Sequence, residues 1–204
     1  MATTTIDTET ELSAVNAILG AIGQSPVTSI TGNTNPEIDF IYNLLKDANV
    51  DVQAEGWHFN TEKHVTYTPN SDDKIVVGAD VLQMDVTNGW GKKQHDVVKR
   101  NGFLYDKYDH TDIWDGDMLL DITKLITFVE VPEVFKRYIV AKASTRAATQ
   151  LVGNPQLAKL LATQEALSRA TCIEYDCTQG NHSMLNLPED SIYTTYQPWR
   201  TLVR

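Results

Sequence analysis

VPEVFKRYIVAKASTRAATQLVG (131–153), followed at once by NPQLAKLLATQEALSRATCIEY (154–175), decides the fold. Pro132 suits the first helical position, where a missing N–H removes no hydrogen bond. Phe135, Tyr138, Ile139, Lys142 and Arg146 then fall on related faces of one helix. Gly153 suits a left-handed C-terminal cap, and Asn154-Pro155 supplies a cap residue and a first-turn proline for a second helix. In that helix Leu157, Leu160, Leu161, Gln164 and Leu167 follow a 3.6-residue period and are the expected buried stripe. A two-residue junction between long helices predicts an antiparallel hairpin. Neither helix buries its stripe alone, so the rest of the chain must supply the opposite wall.

Two further helices are expected upstream. Thr8 and Glu11 have capping-box spacing ahead of a stripe formed by Leu12, Val15, Ile18, Leu19 and Ile22, which Gly23 ends. After a polar loop, Asn35-Pro36 repeats the cap-plus-proline start. Ile38, Ile41, Leu45, Ala48 and Val52 follow at spacings of three and four, and Gly56 stops the helix. At Trp57 the period changes. WHFNTEKHVTYTP, KIVVG, VLQMDVT, HDVVKR, FLYDKY and LLDITKLITFVEV are short, β-branched or aromatic runs, and Asn101-Gly102 between two of them is a strong hairpin signal.

The expected fold class is α+β: an antiparallel bundle of about four helices, an inserted antiparallel β subdomain and an extended C-terminal tail. The expected division is 1–56 for the N-terminal helical part, 57–130 for the β insertion, 131–178 for the helical hairpin and 179–204 for the docking arm. That arm has no sustained period. Yet Met184, Leu185, Leu187, Ile192, Tyr193, Tyr196, Trp199, Leu202 and Val203 make it apolar and aromatic, unlike a disordered tail. Such segments dock on their own domain or on a partner.

Composition bounds the function. The chain of 204 residues is long enough for one sizeable core, and 42% hydrophobic with 22% charged residues is the balance of an ordinary globular protein. No apolar run has the length of a bilayer span, and MATTTIDTETE lacks the basic and apolar regions of a secretory signal. Cys172 and Cys177 lie on one expected helix at a spacing unsuited to a mutual disulfide, which predicts a reduced, cytoplasmically made protein. A net charge of −10 opposes sequence-reading of nucleic acid, which needs a basic footprint, but suits a wall past which DNA slides.

Candidate chemistry is sparse. Asp109, Asp112, Asp115 and Asp117, with His110 and Trp114 among them, could form a metal loop or a glycosidase acid pair. The spacing does not fit an EF-hand, and a solvated turn is the simpler reading. The histidines, His58, His64, His95, His110 and His182, include no i, i+4 pair, no HExxH and no zinc spacing with either cysteine. There is no GxSxG elbow, P-loop or Rossmann fingerprint. No catalytic residue, cofactor or metal is therefore expected. Lys136, Arg137, Lys142 and Arg146 on the third helix form either a basic strip for a neighbouring subunit or a solvated face. A helical scaffold, a β module and an apolar arm have the layout of an assembly protein.

Several stretches resemble the tail tubular protein A family of short-tailed bacteriophages, the adaptor ring beneath the portal. ELSAVNAILGAIGQSPV (11–27) is similar to the family's opening helix and turn, and GWHFNTE (56–62) to its tryptophan motif. VPEVFKRYIVAKASTRAATQLVG resembles its central helix, and CIEYD (172–176) and SMLN (183–186) resemble its C-terminal part. The resemblance implies a homo-oligomeric ring of twelve subunits between the portal and the nozzle (tail tubular protein B), near the tail fibres, in the virion. DNA would pass through the lumen without sequence-specific binding, and no membrane would be involved. It also implies that the C-terminal extension clasps the portal. On the residues themselves, Ile192, Tyr193, Tyr196, Trp199 and Leu202 are the expected anchors, and ring contacts are expected through the helices, with Lys136, Arg137, Lys142 and Arg146 as candidates. The alternatives are a tail-associated polysaccharide- or wall-degrading hydrolase, centred on Asp112, Asp115 and Asp117, and a carbohydrate- or protein-binding module built on the β region.

Overall fold

A computed structural model describes residues 10–30, 35–87 and 95–180. Four helices, α1 (Glu11–Ala21), α2 (Pro36–Gln53), α3 (Glu133–Ala147) and α4 (Pro155–Gly180), bracket five strands: β1 (Thr61–Tyr67), β2 (Val81–Val86), β3 (Val97–Arg100), β4 (Phe103–Asp106) and β5 (Met118–Lys124). The fold is α+β, with the antiparallel β part inserted between α2 and α3.

The upstream helices follow their periods. Val15, Ile18 and Leu19 of α1 and Ile38, Ile41, Leu45, Ala48 and Val52 of α2 are buried. The α1 cap differs from expectation by two positions. Thr10, not Thr8, is the N-cap, and it exchanges hydrogen bonds with Ser13 (Ser13 N–H to Thr10 Oγ1, 3.3 Å; Thr10 N–H to Ser13 Oγ, 2.9 Å). A serine hydroxyl thus plays the role expected of Glu11. Asn35 caps α2 by accepting from Glu37 N–H at 3.1 Å, as its position before Pro36 requires.

α3 is the centre of the helical core. Phe135, Tyr138, Ile139, Ala143 and Ala147 are buried, and α3 packs on α1, α2 and α4. The Phe135 ring lies 4.9 Å from Trp57, 4.6 Å from Phe59 and 6.0 Å from Tyr175, which joins the tryptophan motif to both later helices. Pro132 stands at the cap position, one residue before the expected one. The helix does not run regularly into Gly153: Ala148–Val152 form a π turn, closed by Gly153 N–H donating to Ala148 O at 2.9 Å. Gly153 has φ +65°, the left-handed cap the sequence called for, and Asn154 accepts from Gln156 and Leu157 N–H at 3.0 and 3.3 Å to start α4. Cys172, late in α4, donates its thiol to Val134 O near the start of α3, so the two helices run antiparallel.

The α4 stripe is not the expected one. Leu161 and Cys172 are buried and Leu157 and Tyr175 pack on the core, whereas Leu160 and Leu167 are 67% and 65% exposed. The helix carries apolar residues on two faces, and the period alone does not say which face meets α3.

In the β part, β5 is the central strand of a three-stranded antiparallel sheet ordered β1-β5-β2. β1 bulges between Glu62 and Val65, where His64 has φ +58° and its N–H is taken by Asp121 at 2.8 Å. β3 and β4 form a separate hairpin with Arg100 opposite Phe103. Its loop is Asn101-Gly102, both at positive φ (+51° and +81°), which is the type I′ geometry those residues favour. KIVVG is not a full strand. It contributes one bridge, Val76 to Phe103, while Ile75 and Val77 enter a second core with Val81, Val97, Leu104, Trp114, Leu120 and Ile122. Only the first part of LLDITKLITFVEV is strand, ending at Lys124.

Candidate assembly surfaces and a polar cluster

The basic residues of α3 diverge. Lys136 is 1% exposed; its ammonium donates to Val129 O at 3.0 Å and lies 5.8 Å from the Phe128 ring. Lys142 approaches Glu55 at 3.7 Å, and Arg146 pairs with Asp51 of α2. Arg137 has a side chain 75% exposed, with Glu133 only loosely placed at 4.0 Å. Three of the four therefore act within the subunit, and Arg137 is the one that projects.

Glu55, just past α2, gathers the helices. It accepts from Tyr138 Oη at 3.0 Å and from Arg169 Nη2 at 3.1 Å, tying α2 to α3 and α4. Burial, then the bond to Glu55, pushes the Tyr138 phenol up to about 12. Burial likewise pushes the Cys172 thiol up to about 12, while Cys177 is exposed.

The aspartates at 109–117 do not converge on one catalytic centre. Asp112 pairs with Lys74 at 2.6 Å, and that hydrogen bond holds its carboxyl below the usual range. Asp115, in a bend, and Asp117, directly before β5, are exposed, and Trp114 is buried, its indole N–H donating to Leu104 O at 3.1 Å. A shallow cavity of about 400 Å³ lies beside this pair, lined by Lys74, Arg100, Asn101, Phe103, Tyr105 and Asp112. Arg100 stacks over Tyr105 at 4.0 Å and Lys74 is held by Asp112, so both cations at the cavity already have partners.

Asp109 instead joins a pair that spacing rules missed. Asp106, at the end of β4, is 1% exposed. Its Oδ1 accepts from Tyr108 N–H at 2.7 Å and Asp96 N–H at 3.3 Å, and its Oδ2 lies 2.5 Å from His95 Nδ1. Burial raises the carboxyl's pKa, but the bonds from Tyr108, His95 and Asp96 overcome this and hold it low. The Trp114 ring meets His95 edge-on at 5.5 Å. One ligand atom each from His95, Asp106 and Asp109 lies within 4.8 Å of the others. The hairpin signal could have found this cluster: with the loop at Asn101-Gly102, Val97 falls opposite Asp106, and His95 two residues earlier shares Val97's side.

The portal-anchor candidates Ile192, Tyr193, Tyr196, Trp199 and Leu202 lie outside the described residues. Among the described residues no helix is long and apolar enough to cross a membrane. No curated protein sequence was found to match the chain. The profile of one family, described as tail tubular protein, matches residues 12–182, which spans all four helices and the β insertion between them. The chain belongs to the tail tubular protein family, and is thus a structural protein of the bacteriophage tail.

Proposed function

We propose that the protein is the adaptor of a short-tailed phage, a ring of twelve copies that joins the portal to the tail nozzle and lines part of the DNA ejection path. The observation that carries this reading is the outer face of α4. Leu160 and Leu167 lie seven residues apart, on one face of a long helix, and stay open to solvent in the single subunit. Apolar residues so aligned are an assembly surface in search of a partner. In a ring each subunit presents one face to the next and receives a different one, so such a surface is used once per copy. Arg137 is the residue of the α3 basic set that best reaches a neighbour; Lys136, Lys142 and Arg146 would hold the helices that carry it.

In this reading residues 1–56 and 131–178 build the ring wall, 57–130 faces the nozzle and fibres, and 179–204 docks on the portal through Ile192, Tyr193, Tyr196, Trp199 and Leu202. The net charge of −10 supports a lumen that repels phosphates and leaves DNA free to slide. The function needs no catalytic group and places the protein in the virion after synthesis in the host cytoplasm.

Electron microscopy of the purified chain mixed with its cognate portal tests the proposal. The expected result is a new annular layer beneath the portal, lost when residues 188–204 are deleted. Bare portals beside free subunits, with the full chain, would overturn the adaptor reading. Light scattering of the chain alone should give a species smaller than the ring, because assembly is templated by the portal.

A further inference from the structure

We propose that His95, Asp106 and Asp109 form a binding site for a divalent transition ion of the zinc class, which clips the open end of the β3–β4 hairpin to the turn that follows it. One imidazole nitrogen and one oxygen from each carboxylate lie within 4.8 Å of one another, a spread that a single ion draws together with small side-chain rotations. Zinc takes imidazole nitrogen and carboxylate oxygen at about 2.0–2.2 Å, commonly with three protein ligands and one open position.

The supports around the ligands are those a metal site uses. Asp106 is buried at 1% exposure, and Tyr108 and Asp96 N–H groups hold its Oδ1, which leaves Oδ2 turned toward His95. Backbone donors behind a ligating carboxylate fix its orientation, and Trp114 against the imidazole fixes the ring. Asp109 sits in the exposed turn after β4, so the ion has an entry path. In the metal-free state Oδ2 and Nδ1 are hydrogen-bonded at 2.5 Å; an ion between them takes the place of that hydrogen, and the neutral imidazole binds it as the tautomer that carries its N–H on Nε2. The donor set selects the metal. Calcium and magnesium want oxygen ligands in number, and this site offers a nitrogen and two carboxylates, one of them half engaged by backbone.

The consequence is structural. His95 precedes β3, Asp106 ends β4 and Asp109 lies beyond it, so one ion would join three points of a hairpin that forms a sheet of its own, separate from β1-β5-β2. The proposal is independent of the ring reading, since it concerns a single subunit.

Titration of the full chain, stripped with chelator, with zinc chloride in a calorimeter tests it, with cobalt(II) absorption as a second readout. The expected result is one ion per chain at micromolar affinity, a rise in melting temperature with zinc, and cobalt d–d bands of a nitrogen–oxygen site. Asp109→Asn, an exposed change, should weaken zinc at least tenfold without altering the metal-free melting temperature, and His95→Ala should remove the tight phase. Calcium at millimolar concentration should not compete. Equal zinc uptake by wild type and His95→Ala would overturn the proposal, as would loss of uptake in Cys177→Ser or His110→Ala instead.

Discussion

The side-chain amide of Gln53 pairs with both backbone polar groups of Ile126, although 73 positions separate them. Gln53 Nε2 donates to Ile126 O at 2.8 Å and Ile126 N–H donates to Gln53 Oε1 at 2.7 Å. Asn16 does the same for Val27, at 3.0 and 2.7 Å. In both places a helix side chain replaces the missing strand partner of an irregular segment. Asn60 extends the Gln53 junction by donating to Gln53 O and Lys124 O, so the end of α2, the start of β1 and the end of β5 meet at one polar knot.

Gln53→Leu should therefore be expensive for its size. It leaves the half-buried N–H and carbonyl of Ile126 without their side-chain partners, each worth about 1–3 kcal/mol. Urea unfolding should show a loss of roughly 3 kcal/mol, with Gln53→Glu intermediate. A loss below about 1 kcal/mol would mean that water replaces the amide.

Phe135→Ala should be the most damaging single change in the helical core. The ring touches Trp57, Phe59 and Tyr175, and truncating a buried phenylalanine removes about 3–5 kcal/mol. The check is thermal unfolding of the isolated subunit alongside Phe135→Leu, which should recover more than half of the loss.

The two thiols should separate by rate. Cys177 is exposed and should react with a disulfide reagent within minutes at neutral pH. Cys172 is buried, with its thiol pushed up to about 12, and should react only as the subunit opens. Two thiols titrating together in the native protein would contradict the packing of α4 on α3.

Alkali should act partly through Tyr138. Its phenol ionises near 10.0 in the unfolded chain and is pushed up to about 12 in the fold. A folded pKa above the unfolded one means that the native state holds the proton more tightly. The associated stability is complete below pH 10 and is lost as pH rises toward 12. Tyr138→Phe should flatten the fall of stability in that window, measured by urea midpoints across the pH series.

The outer face of α4 should be silent in the monomer and decisive in assembly. Leu160→Glu with Leu167→Glu should change subunit stability by no more than about 1 kcal/mol, since surface changes are usually within about 0.5 kcal/mol each. The pair should abolish the annular layer on the portal. An unchanged layer would move the ring contact elsewhere.

What the sequence made legible follows from where physics is local. The stripes of α1 and α2, the Asn35-Pro36 and Asn154-Pro155 starts, the Gly153 cap and the Asn101-Gly102 loop each rest on a few neighbouring residues, and all appear as expected. The mistakes lie where the deciding partner is distant. The period of α4 puts Leu160 in the core, because apolar spacing does not distinguish a face turned to α3 from one turned outward. Charge groups Lys136 with the basic strip, but its long apolar stem runs inward and carries the ammonium to Val129 O. The π turn at Ala148–Val152 carries no signal that the helix rules test, although Ser144, Thr145 and Thr149 all bond back to carbonyls four residues earlier, a habit that bends helices. His95 and Asp106 meet only across a hairpin, so a search at helical and zinc-finger spacings passes over them.

The position of α3 sets a timetable for synthesis. Its buried face fills the groove between α1 and α2, yet Glu133 is made 80 positions after Gln53. At about 5–20 residues per second on the ribosome, the nascent chain carries Ile18, Ile41 and Val52 uncovered for several seconds before their partner emerges. During that interval the β module can close on itself, because its core draws only on residues 65–122. The insertion is therefore placed to fold first, and it brings the ends of α2 and α3 together through Gln53 and Ile126 as it does so. A chain stalled before residue 131 should be held by chaperones at its first two helices, and release should follow once α3 is complete.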